Sequence, residues 1–99
     1  MAYRIEYSPA TDDHLRALTA RQRAAVFDAV DGQLAHQPGL ETRNRKPMRP
    51  NPLSPWELRI GELRVYYEIS DKPNNVVTIV AVGVKDRNRV LIGGKDIEL

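Results

Sequence analysis

The stretch WELRIGELRVYYEIS, Trp56 to Ser70, decides how the chain folds. Gly61 and Glu62 separate two alternating segments, and glycine at the first central position is what a two-residue type II′ hairpin turn requires. Counting outward sets Ile60 opposite Leu63, Arg59 opposite Arg64, Leu58 opposite Val65, Glu57 opposite Tyr66 and Trp56 opposite Tyr67. Side chains alternate in a strand, so Trp56, Leu58, Ile60, Leu63, Val65, Tyr67 and Ile69 share one face, a core face. The other face carries Glu57, Arg59, Arg64, Tyr66 and Glu68. Two arginines placed directly opposite repel one another, at a cost of about 0.2–1 kcal/mol. Stability alone gives no reason for that pairing, whereas an anionic ligand or a partner's carboxylate turns it into a charge-assisted clamp.

Upstream of the hairpin, AYRIEYS alternates Tyr3, Ile5 and Tyr7 with Arg4 and Glu6, the pattern of a half-exposed strand. Ser8 and Pro9 read as an N-cap and first helical position, with Asp12 and Asp13 complementing the dipole of a short helix. Thr19 with Gln22 fits a capping box and opens a second helix whose apolar face runs through Val26, Phe27, Val30 and Leu34. Gln37, Pro38 and Gly39 end it. From Glu41 to Pro55 four prolines exclude regular structure while Arg43, Arg45, Lys46 and Arg49 gather, which predicts a stiff basic loop. After the hairpin come a turn at Asp71 to Asn75 and the run Val76 to Val84, apolar on both parities and so a central strand. Lys85, Arg87 and Arg89 form a second basic segment, and Gly93 with Gly94 predicts a small hairpin within Val90 to Leu99. The order of strand, helical hairpin and mainly antiparallel sheet predicts an α+β sandwich, one domain over 1–99.

Composition narrows the chemistry. The chain of 99 residues has no cysteine, which excludes disulfides and thiolate metal sites. No apolar run approaches the roughly 20 residues of a spanning helix, so the expectation is a cytoplasmic protein without a membrane partner. The net charge of +2 is small, so the distribution of cations matters more than their sum. His14 and His36 lie on predicted helices without ligand spacing, which argues for exposed or capping roles and against a metal. Only five residues follow Gly94, too few for a phosphate-binding helix.

The cationic residues withstand this sifting. Arg59 and Arg64, with Tyr66 on their face and a basic segment leaving the next strand at Lys85, suit a phosphodiester backbone, with an aromatic ring for a base to stack on. The competing reading is that both arginines simply pair with Glu57 and Glu68.

In its opening strand YRIEYS, its helical hairpin ending in QLAHQPG, the block NPLSPWELRIGELRVYYEI and the ending VTIVAVGVKDRNRV, the chain resembles the RelE/ParE superfamily of bacterial type II toxin–antitoxin toxins. The resemblance implies an α+β toxin held inactive by a cognate antitoxin. Its RelE-like branch implies a metal-independent, cofactor-free endoribonuclease that cuts mRNA on the ribosome, the 2′-hydroxyl attacking the adjacent phosphate. The alternatives are a ParE-like inhibitor of DNA gyrase and a non-catalytic antitoxin-binding module. Arg64 matches the central family arginine, Lys85 or Arg87 a second one after the last long strand, and Arg59 a frequent basic position. The implied catalytic set is Arg64, Lys85 and Tyr66, with Arg59, Arg43, Arg45, Lys46, Arg49, Arg87 and Arg89 as RNA contacts. Arg64→Ala is expected to abolish toxicity and leave the fold largely intact. The chain departs from the RelE pattern at Pro55 and Glu57, where lysines stand in RelE, and around Leu91, where RelE has a tyrosine.

Overall fold

The computed structural model of the chain describes residues 2–97. The chain runs β1 (Arg4–Tyr7), α1 (Thr11–Arg16), α2 (Ala20–Gln33), β2 (Arg45–Pro47), β3 (Trp56–Ile60), β4 (Leu63–Ser70), β5 (Val76–Asp86), β6 (Arg89–Ile92) and β7 (Lys95–Ile97). Strands β2 to β7 lie side by side in sequence order, each antiparallel to the next. Strand β1 instead runs parallel to β5, pairing Arg4 to Tyr7 with Val76 to Ile79. The α+β architecture expected from the sequence is the one observed.

The β3–β4 hairpin has the register that the alternation predicts, from Ile60 opposite Leu63 out to Trp56 opposite Tyr67. Gly61 takes the positive φ, +57°, that the turn demands. Leu58, Leu63, Val65 and Tyr67 are buried on the helical side, where they meet Val26, Val30 and Leu34 of α2 and Val77, Ile79 and Val82 of β5. Tyr67 stacks on Trp56 with ring centroids 6.0 Å apart, and its hydroxyl donates to the Pro38 carbonyl at 2.8 Å. The Thr19–Gln22 capping box is formed in both directions.

A register shift between β4 and β5 sets Tyr66 opposite Ala81 and Tyr67 opposite Ile79, leaving Val80 as the extra residue. The shift allows β5 to be apolar on both parities: Ile79 joins the main core, while Ala81 joins Tyr66 and Ile92 in a second, smaller cluster on the opposite face. Near this point β1 ends and β6 begins on the same edge of β5, so the ladder there is interrupted. Side chains fill the gap. The Ser8 hydroxyl donates to the Val80 carbonyl at 3.3 Å, and the Val82 N–H donates to His14 Nδ1 at 3.3 Å.

Three local expectations change. Helix α1 begins at Thr11, two residues after Pro9, because Ser8 continues β1 by donating its N–H to Ile79 and Ala10 becomes the N-cap without a side-chain bond. Phe27 is 40% exposed and meets the edge of the Tyr7 ring at 5.7 Å, so it flanks the core instead of entering it. The basic loop contains β2, which pairs with β3 as the sheet's edge, a place where Pro47 is tolerated. Downstream of it, Asn51 accepts from the N–H groups of Leu53 and Ser54 and donates to the carbonyls of Arg49 and Ser54, which orders the proline segment. The Gly93–Gly94 hairpin forms between β6 and β7, and residues 98–99 of the predicted tail lie outside the described residues.

Candidate functional site

On the face of the sheet opposite the helices lies an open cleft of about 440 Å³. Strands β3 and β4 supply Glu57, Arg59, Arg64 and Tyr66, the end of β5 supplies Lys85, and the last hairpin supplies Asn88, Arg89 and Asp96. The period-two alternation brings Arg59, Arg64 and Tyr66 to one side, and the β4–β5 register carries Lys85 beside them.

The two arginines differ in their surroundings. Arg59 is half exposed and its Nε donates to Glu57 Oε1 at 2.7 Å, so the carboxylate-pairing alternative holds for this residue. Arg64 is only 9% exposed and pairs with no carboxylate among the described residues. Its Nη1 donates to the carbonyls of Gly61 at 2.6 Å and Leu63 at 2.8 Å, tying the guanidinium to its own turn. Carbonyls orient a cation without neutralising it, so Arg64 keeps its formal charge for the cleft. Lys85 is exposed and has no carboxylate partner among the described residues. Arg89 is offset by Asp86 at 3.5 Å and Asp96 at 3.7 Å.

Tyr66 is wholly buried, so its ring offers no free face to a nucleobase. Its hydroxyl makes no hydrogen bond of regular geometry among the described residues, although the Glu57 carboxylate lies close enough to act on it. Burial raises its pKa well above the ordinary tyrosine value and Glu57 adds to the rise, whereas Arg64 and Arg59 oppose it and are outweighed. The phenol therefore holds its proton and serves as a donor, not a base.

The remaining predicted contacts are spread more widely. Lys46 and Arg49 line an adjoining cleft of about 370 Å³ that shares Glu57 and Arg59 with the first. Lys46 also pairs with Glu41 at 3.5 Å. Arg43 and Arg87 are exposed outside both clefts, Arg87 at a tight turn with φ +58°. Arg45 goes elsewhere: it is registered against Leu58 on the core-facing parity, and its Nη1 donates to the carbonyls of Gln33 and Gln37 at the end of α2. Its Nε is buried without a hydrogen-bond partner among the described residues. Arg45 thus docks the helix and does not join the cationic face. Glu57 entered the sequence analysis as a neutralising partner and as a departure from the RelE lysines, and the structure leaves its side chain only 12% exposed. Among the described residues no cluster of histidine and carboxylate side chains is placed to hold a metal ion, and no helix is long and apolar enough to cross a membrane.

The fold and the cleft define an α+β protein with cationic side chains gathered on the sheet face opposite the helices. No protein-family model and no curated protein sequence matches the chain. Solved structures do. The chain is similar to one from the toxin–antitoxin complex RelBE2 of Mycobacterium tuberculosis, at 27% identity and a TM-score of 0.72, covering 86% of this chain and 100% of that one. A chain of the archaeal RelE–RelB complex from Pyrococcus horikoshii OT3 shares the fold at 17% identity and a TM-score of 0.67, covering 88% and 99%. The chain is RelE-like, as its resemblance to the RelE/ParE superfamily implies.

Proposed function

We propose that the chain is the toxin of a type II toxin–antitoxin pair and acts as a ribosome-dependent endoribonuclease, neutralised by a cognate antitoxin. The observation that carries this reading is the presence of two cations without carboxylate partners among the described residues, Arg64 and Lys85, on one cleft with a protonated Tyr66. Cleavage by a 2′-hydroxyl develops negative charge on the phosphorane oxygens and on the departing 5′-oxygen. Fixed cations in a partly enclosed site stabilise that charge more than the ground state. Arg64, held by its turn, faces the phosphorane, and Lys85 serves the leaving oxygen. Arg59, Arg89, Lys46, Arg49, Arg43 and Arg87 extend the positive track for flanking phosphates. A cofactor has no part in this chemistry. The antitoxin is supported by the similarity to chains found in RelB complexes.

Induction of the chain alone in a bacterial host tests the reading. Arrest of protein synthesis with cut messages, relieved by a co-expressed neighbouring partner, is the expected outcome. Arrest with intact messages and stalled gyrase–DNA complexes would replace it with the ParE-like function. Unimpaired growth would leave a non-catalytic antitoxin-binding module.

A further inference from the structure

The nuclease reading lacks a proton acceptor: Tyr66 holds its proton, and the cleft's cations are donors. The cleft contains two carboxylates, Glu57 and Asp96. Asp96 is half exposed at the rim and engaged with Arg89. Glu57 is different, because its side chain is only 12% exposed and sits on β3 opposite Tyr66. Charged side chains this sheltered are normally fully paired, yet the ion pair of Glu57 is with Arg59, a side chain that is itself 50% exposed. Beside it stands the buried Tyr66 hydroxyl, which makes no hydrogen bond of regular geometry with the described residues yet lies close enough to Glu57 for its charge and a loose hydrogen bond to raise the phenol's pKa. A buried bond left that loose marks a place where something binds or moves.

We propose that Glu57 is the general base of the cleavage reaction, masked by Arg59 in the free protein and released when Arg59 turns to a phosphate. The inference rests on the nuclease reading. A phosphate offers Arg59 the same bidentate geometry as a carboxylate and carries the charge of the substrate, so the exchange conserves the arginine's hydrogen bonds. Glu57 stays in place because it is nearly buried, and the Tyr66 hydroxyl becomes its replacement donor. One carboxylate oxygen is then held by the phenol and the other faces the 2′-hydroxyl. In the step itself the O–H bond of the 2′-hydroxyl breaks, its proton passes to Glu57, and the 2′-oxygen bonds to phosphorus. The bond from phosphorus to the 5′-oxygen breaks, and that oxygen takes a proton from the Lys85 ammonium. Glu57 then releases its proton to water and Lys85 regains one, leaving a 2′,3′-cyclic phosphate and a 5′-hydroxyl.

Single-turnover cleavage of a defined message on programmed ribosomes, using the full chain, tests this assignment. Glu57→Gln keeps the shape and a hydrogen-bonding oxygen but cannot take the proton, and is expected to slow cleavage about 10²–10⁴-fold without loss of ribosome binding. Its rate is also expected to lose the rise with pH on the acid side that a carboxylate base would give the wild type, whereas a purely structural role beside Arg59 would leave the pH profile unchanged. Glu57→Asp preserves the carboxylate and is expected to keep that rise at a reduced rate, so it serves even if the Gln variant folds poorly. Wild-type rates in Glu57→Gln, or a slower rate with an unchanged pH profile, overturn the assignment while the nuclease reading stands. Absence of cutting by the wild type overturns both.

Discussion

Arg59 and Arg64 are direct cross-strand partners, yet Arg59 is neutralised by Glu57 while Arg64 is bound only to backbone carbonyls. The pair therefore avoids the repulsion expected of like charges in register by giving one member a carboxylate and the other a fixed cradle. A half-exposed, masked arginine and a nearly buried, unmasked one serve different purposes. The first can follow a polymer backbone, and the second can hold one phosphorus centre.

The burial of Arg64 alters what its removal would do. Loss of two hydrogen bonds from a charged donor in a nearly buried place is expected to cost about 1.5–3 kcal/mol, so Arg64→Ala weakens the fold as well as the activity. Arg64→Lys keeps the charge but not the planar fork, and is expected to lose about 1 kcal/mol of stability and most of the cleavage. Urea unfolding beside message cleavage separates the two effects. A lysine variant as active as the wild type would mean that charge alone suffices.

Arg87 adopts φ +58° at the turn joining β5 to β6, a conformation that strains an L-residue by about 1–2 kcal/mol. Arg87→Gly is expected to stabilise the protein by about 1 kcal/mol in urea unfolding while weakening RNA-dependent activity. A stabilised variant with full activity would show that the cation contributes nothing.

Gly83 lies opposite Arg64 on β5, and a Cβ there would come within 2.7 Å of the Leu91 carbonyl oxygen. Gly83→Ala is expected to destabilise the chain by about 1–3 kcal/mol and to disturb the β5–β6 edge of the cleft. Unchanged unfolding would contradict the tight approach of β6.

His14 gives the fold a pH dependence. Its Nδ1 accepts from the Val82 N–H and must be unprotonated to do so. Burial holds its pKa below the ordinary histidine value, against a weaker opposing pull from Asp13. The unfolded chain therefore binds the proton first as pH falls. The histidine's contribution is fully present above about pH 6.5 and is lost as pH drops through the lowered folded value. His14→Gln retains an acceptor without the titration, so its unfolding free energy is expected to fall less than that of the wild type between neutral pH and about pH 5. Parallel curves would contradict the assignment.

The hairpin, the capping box and the two-faced central strand were legible because each is set by local alternation or short spacing, as in Trp56 to Ser70 and Thr19 with Gln22. Strand β2 was not, since edge pairing tolerates a proline that local rules treat as a breaker. Basic residues were legible as a group, but their destinations depend on tertiary contacts. Arg45 turns to the helix end only because β2 presents it on the core-facing parity. The burial of Tyr66 likewise needs distant segments, including Met48 and Ile97, to pack over the sheet.

The central claim is that the cleft around Arg64 acts on a phosphodiester. The most direct test maps message 5′ ends by primer extension after the chain is induced without an antitoxin, beside Arg64→Lys at matched folded protein. The account predicts new ends in translated messages, in register with the reading frame, for the wild type and their loss in the variant. Intact messages during wild-type growth arrest would contradict it.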